Sequence, residues 1–152
     1  MGQVVPTFWQ FFEKLQGYVE DGEFVSDEDW MQLLAFSNGG DKYAAAQLLR
    51  ARYFRRKGDA GLALAFLNTL STILNRDLRG LVFVEKARCK DGLGYRKQAL
   101  DDAGRAMQEL APVPKAAIVC QEMKSLAAKL REELAAQPAP RSRLQRLLDY
   151  VG

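Results

Sequence analysis

The stretch GLVFVEKARCKDGLGYRKQALDDAGRAMQELAP, Gly80 to Pro112, decides the fold. Shifted back by 36 residues it meets a counterpart, AAAQLLRARYFRRKGDAGLALAFLNTLSTIL, Ala44 to Leu74. Ala51 falls on Ala87, Gly58 on Gly94, Ala63 on Ala99 and Leu64 on Leu100. Arg52 falls on Arg88, and Leu48 on Val84. Each unit reads as a helix, a glycine turn and a second helix. Gly58 and Gly94 supply the positive φ such a turn needs. The paired alanines stand where two helices approach at the short end of the usual ~8–10 Å separation. Phe54, Phe66, Leu67 and Leu70 fill the space between units. A repeat of this period predicts stacked helical hairpins, an architecture used mostly for binding.

Outward from the repeat the chain predicts about seven helices and an all-α, single-domain fold over residues 1–136. Helix 1 is expected over Phe8–Val19, with Thr7 and Gln10 as a capping box. Helix 2 follows Ser26, with Asp27, Glu28 and Asp29 in its first turn, where the helix dipole favours acids. Asn38-Gly39-Gly40 ends it in residues suited to a left-handed cap. Helix 3 is expected over Lys42–Lys57, and helix 4 from Asp59 to Leu74. Helix 5 takes Leu78–Lys90 and helix 6 Arg96–Leu110. After Pro112 and Pro114, helix 7 runs over Lys115–Ala135. Segments 7–36 and 115–135 thus cap the repeat units 44–74 and 80–110. Residues 137–152 read as a stiff proline linker and a short basic amphipathic helix with Leu144, Leu147, Leu148 and Val151 on one side.

The stretches Ala51…Gly58-Asp59…Ala63…Leu67…Leu70 and Ala87…Gly94-Tyr95…Ala99…Ala103…Ala106, closed by Pro112, resemble the tetratricopeptide repeat. The resemblance covers roughly 70 residues, and its period of 36 departs from the usual ~34. Gln47 stands where that family has an aromatic in the first helix, and Lys90 where it has a tyrosine. The resemblance implies a concave face lined by the first helix of each hairpin. By matching position, Leu48, Arg52, Arg55 and Arg56 in one unit and Leu81, Val84 and Arg88 in the other point toward that groove. Helical spacing agrees, since 48, 52 and 55 or 56 share one face, as do 81, 84 and 88. The expected site is a basic, apolar-floored groove for a protein segment with apolar and acidic residues or a free C-terminus. Two other readings of Arg52, Arg55 and Arg56 stand beside it: a solvated face, and packing against the chain's own acidic segment 20–29.

Charge is distributed unevenly. Residues 1–41 carry eight acids and one base, whereas residues 42–98 carry thirteen bases and four acids. The cluster Arg50, Arg52, Arg55, Arg56, Lys57, with Tyr53 and Phe54 interleaved, makes a nucleic-acid-contacting regulator the alternative function. The acidic first quarter and a net charge of only +3 argue against it.

Catalytic chemistry finds little footing. The chain has no histidine, which removes the commonest general base and metal ligand together. Cys89 and Cys120 are too few for a structural zinc site and read as buried thiols in a reducing compartment. Gly92-Leu93-Gly94 follows a helix and lacks the ending of a phosphate loop. Asp101-Asp102 and Glu132-Glu133 are adjacent pairs that diverge on a helix, where paired-carboxylate chemistry needs convergence. No cofactor or metal is expected. No apolar run is long enough to span a bilayer. Nor does the start resemble a secretory signal, and Pro6 spoils a myristoylation motif at Gly2. A cytoplasmic location is the expectation.

The sequence reading is therefore a non-enzymatic adaptor or small chaperone. Compact type III secretion chaperones are similar in size and repeat type, an analogy at the level of fold alone. The aromatic band Phe8, Trp9, Phe11 and Phe12, nearly all round helix 1, suits either the domain's own core or a homo-oligomer or partner interface.

Overall fold

A computed structural model describes residues 7–70, 72–137 and 147–148. The fold is all-α. Among the described residues seven α-helices follow one another: α1 (Phe8–Glu20), α2 (Asp27–Ser37), α3 (Gly40–Arg56), α4 (Ala60–Asn68), α5 (Arg76–Gly92), α6 (Arg96–Leu110) and α7 (Ala117–Ala136). A single 3-10 turn, Pro114–Ala116, leads into α7. The described residues contain no strand. Of the C-terminal linker and amphipathic helix expected over 137–152, all but Gln137, Leu147 and Leu148 lies outside the described residues.

The helix boundaries follow local chemistry. Thr7 and Gln10 form the reciprocal capping box, with Gln10 N donating to Thr7 Oγ1 at 3.2 Å and Thr7 N to Gln10 Oε1 at 2.9 Å. Ser26, Asp59 and Asn75 cap α2, α4 and α5 through their side-chain oxygens. Asn38 closes α2 in the left-handed region at φ 52°. Gly58 and Gly94, the matched turn glycines, have φ 93° and 81°.

Most boundaries fall within two residues of the sequence reading, and one departs further. Helix 4 ends at Asn68, not at Leu74. The Thr69 hydroxyl donates to Phe66 O at 2.7 Å, offering the backbone an alternative to the next turn. Beyond it the Asp41 carboxylate accepts from Leu74 N at 3.1 Å and Asn75 N at 2.9 Å, holding the connection extended into the cap of α5. Ile73 is thereby turned into the core, while Leu74 is left 84% exposed.

Each helix packs on its neighbours in sequence, and the odd-numbered helices also touch one another: α1 on α3, and α3 on α5. Three apolar cores lie in series. The first joins Phe8, Phe11, Leu15 and Val19 of α1 to Trp30 and Leu33 of α2 and Leu49 and Tyr53 of α3. The second joins Leu48 and Ala51 to Ala63, Leu67, Val82 and Cys89. The third joins Val84 and Ala87 to Ala103, Ala106, Leu110 and Met123. The four matched alanines, Ala51, Ala63, Ala87 and Ala99, have no exposed surface. Partly buried Phe54 and Leu81 each bridge two of these cores, so the stack is continuous.

α5 and α6 approach each other closely at Gly80. A Cβ there would sit 2.6 Å from Cγ and Cδ2 of Leu110. Only a residue without a side chain lets Leu110 reach the α5 backbone and end the core beneath it.

Candidate functional site

The odd-numbered helices bound two clefts. The first, of about 350 Å³, is walled by Trp9, Phe12 and Gln16 of α1, Asp41, Ala45, Leu48, Leu49 and Arg52 of α3, and Asn75, Leu78 and Leu81 at and within α5. Its surface is mostly aromatic and aliphatic. Gln16, Asp41, Arg52 and Asn75 are its polar members, and an apolar surface with a few polar groups is the composition usual for a recognition site. Trp9 is 50% exposed at the rim, although Phe8 and Phe11 beside it are buried. It is held by edge contacts, with ring centroids 4.9 Å from Phe8 and 5.4 Å from Phe12.

The second cleft, of about 550 Å³, is walled by Arg55, Gly58, Ala60, Arg88, Asp91, Gly92, Glu122, Met123 and Leu126. It lies along α3, α5 and α7 and is more polar than the first.

Between the clefts sits an ionic cluster centred on Glu85, a fully buried carboxylate on α5. Arg55 donates to it twice, Nε to Oε2 at 2.7 Å and Nη2 to Oε1 at 3.1 Å. Arg52 Nε donates to Oε1 at 3.2 Å, and Arg88 Nη1 lies 3.6 Å from the same oxygen. Arg88 Nη2 in turn donates to Glu122 Oε2 on α7 at 2.6 Å. Burial alone pushes the Glu85 carboxyl upward. The Arg55 hydrogen bonds and the Arg55, Arg52 and Arg88 charges outweigh it and hold the pKa below the ordinary carboxylate range. Burial likewise opposes the Arg55 charge, and Glu85 reverses it, so the Arg55 pKa is raised.

The residues singled out from the sequence thus separate. Leu48, Arg52 and Leu81 wall the first cleft. Arg55 and Arg88 wall the second. Val84 is buried in the third core and lines neither cleft. Arg56 points elsewhere, its Nη1 donating to Val19 O at 3.3 Å in the α1–α2 region. Consecutive residues stand about 100° apart on a helix, and here Arg55 turns toward Glu85 while Arg56 turns toward the end of α1. Sequence reasoning singled out Trp9 and Phe12 without placing them in the groove, and missed Gln16. Their signal was present in the aromatic band of helix 1, where Trp9 and Phe12 lie off the stripe made by Phe8, Phe11, Leu15 and Val19. It missed Glu85 as well, the one acid between Leu78 and Lys90.

The basic run Arg50–Lys57 is dispersed around α3. Arg50 stacks on Phe66, its guanidinium carbon 3.9 Å from the ring centroid. Arg52 and Arg55 hold Glu85. Arg56 and Lys57 donate to backbone carbonyls of Val19 and Gly22. The turn between α1 and α2 therefore packs against the end of α3, with Val25 N donating to Tyr53 Oη at 3.3 Å. The acidic segment lies beside Lys57 through the Gly22 carbonyl, and among the described residues none of its acids makes an ion pair with Arg52, Arg55 or Arg56.

Neither cleft presents a nucleophile beside a base. No group of three or more metal-ligating side chains occurs among the described residues. The Cys89 thiol is buried in the second core, and burial pushes its pKa up to about 11. Among the described residues no helix is long and apolar enough to cross a membrane.

No protein-family model matches the chain, and neither a curated protein nor a solved structure is found to be similar to it.

Proposed function

We propose that this protein is a non-enzymatic interaction module, an adaptor or small chaperone of tetratricopeptide-like build, working in the cytoplasm. It binds a segment of a partner protein in the cleft between α1, α3 and α5. The observation that carries this reading is the first cleft itself. An apolar hollow with a half-exposed tryptophan at its rim and one guanidinium at its edge is suited to aliphatic or aromatic anchors beside an acidic group. Arg52, already engaged by Glu85, offers its remaining donors to a carboxylate. The alternative, nucleic-acid contact through Arg50–Lys57, is supported less. Those side chains face several directions, and four of the five hold protein groups.

Trp9 provides the test. The other tryptophan, Trp30, is fully buried, so a ligand in the cleft changes the emission of Trp9 alone. A panel of peptides varying in apolar and acidic content is titrated into the protein. Peptides with apolar anchors and an acidic residue are expected to shift the Trp9 emission and to lose affinity at least tenfold against Leu78→Glu. Equal binding to Leu78→Glu would place the ligand elsewhere and sink this reading.

A further inference from the structure

The two ends of the helix series carry complementary features that the clefts do not use. At one end, between α1 and α2, Phe24 is 78% exposed. Asp21 and Glu23 flank it in the same exposed turn, and neither makes an ion pair among the described residues. A phenyl ring so placed gains nothing for the fold, since Val25 beside it already supplies the buried contact.

At the other end, where α6 passes into α7, lies an open apolar cleft of about 350 Å³. Met107, Leu110, Val113, Ala117 and Cys120 wall it, and Lys124 stands at its edge. Its size is ample for an aromatic ring, as a dry cavity of about 150 Å³ already accepts benzene. Lys124 and nearby Lys115 are exposed and make no ion pair among the described residues. Ile118, 76% exposed, widens the apolar surface beside them.

Within one chain the two features cannot meet. The α1–α2 turn lies against the α3–α4 turn, where Lys57 Nζ donates to Gly22 O at 3.4 Å. The socket lies at the far end of α6, whose 15 residues at about 1.5 Å each span roughly 22 Å. A knob and a socket at opposite ends of one molecule make a heterologous contact between copies, which extends head to tail.

We propose that Phe24 of one copy seats in the Met107/Leu110/Val113/Cys120 cleft of a second copy, with Asp21 and Glu23 facing Lys115 and Lys124. The occupant is a second copy because the knob, the socket and both signs of charge are present on this one chain. A single aromatic knob with a charged rim is at the small end of specific interfaces, so the association is weak, in the ~0.1–1 mM range. It weakens further as salt screens the rim.

The test uses the full chain and two variants in sedimentation equilibrium. Phe24→Ser removes the knob and keeps the socket. Gln121→Trp, at the exposed wall of the socket, fills it and keeps the knob. The wild-type chain is expected to show a mass that rises with concentration at low salt. Each variant alone is expected to remain a monomer, while their equimolar mixture gives a dimer and nothing larger. Reversal of charge gives a second reading: Glu23→Lys and Lys124→Glu each weaken association, and together restore it. A wild-type chain that stays monomeric at millimolar concentration and low salt overturns the proposal. So does association that persists in Phe24→Ser, or a mixture that stays monomeric. Circular dichroism of each variant shows whether the helices are intact, and the charge pair, on exposed residues, stands in for any variant that misfolds.

Discussion

Arg55 and Glu85 form a two-point ion pair between α3 and α5, with donors at 2.7 and 3.1 Å from the two carboxylate oxygens. The carboxylate has no exposed surface, and the Arg55 side chain keeps 23% of its own. Arg52 and Arg88 complete the shell. The repeat of Arg52 at Arg88 has a structural counterpart here. Arg52 reaches Glu85 on the next odd-numbered helix, and Arg88 reaches Glu122 on the one after. The recurrent arginine ties successive odd-numbered helices together, whatever it also offers a ligand.

Glu85→Gln is expected to destabilise the fold by about 3 kcal/mol at neutral pH, since it leaves three guanidinium groups without their buried counter-charge. The carboxyl pKa is lowered in the folded state. Its stabilisation is therefore complete above the unfolded value, near 4.3, and is lost as pH falls below that toward the folded value. Urea melts from neutral pH down to acid conditions check this. The gap between wild type and Glu85→Gln should be constant at neutral pH and close as the carboxyl protonates. A gap that stays unchanged into acid would show that Glu85 is not held ionised by its arginines.

Gly80→Ala is expected to cost about 1–3 kcal/mol, because its Cβ would strike Leu110 at 2.6 Å and that side chain is fully buried. The double variant with Leu110→Ala should show non-additive losses, since the smaller side chain removes the clash. Denaturant midpoints of the four proteins measure the coupling, and strict additivity would contradict the close approach.

Asp41→Ala should release the connection before α5, where the carboxylate holds the Leu74 and Asn75 amides. A loss of ~1–2 kcal/mol is expected for hydrogen bonds to a charged acceptor at an exposed site. Hydrogen exchange should accelerate at these two amides first, with Asp41→Asn intermediate because it keeps one acceptor oxygen.

Thiol labelling should distinguish the cysteines. Cys89 is fully buried with its pKa pushed up to about 11, whereas Cys120 is partly exposed in the α6–α7 cleft. A disulfide-exchange reagent at pH 8 is expected to label Cys120 in the native protein and Cys89 only on unfolding. Native Cys120→Ser should therefore be silent.

Much of the helical framework was legible in the sequence because its determinants are local. Thr7, Ser26 and Asp59 cap helices through atoms three residues away, and Gly58 and Gly94 mark turns by backbone geometry alone. Helix 4 was over-extended because the connection beyond Thr69 is held by Asp41, more than thirty residues in the chain from the Leu74 and Asn75 amides it binds. The candidate site was legible only in part. Leu48, Arg52 and Leu81 were found by helical spacing, but spacing cannot say that α1 supplies the opposite wall. Nor can it say that Val84 faces α6 and α7.

The 36-residue repeat, the capping residues and the alanine positions determined the helical framework and the pairing within the two repeat hairpins, since each acts within a turn or along one helix face. Only the tertiary structure decided what the charges meet. A guanidinium looks the same in a sequence whether it faces water, a ligand or a buried acid. Glu85 became the centre of the cluster because the packing of α3 on α5 encloses it among three arginines, where removing its charge from water is offset by theirs.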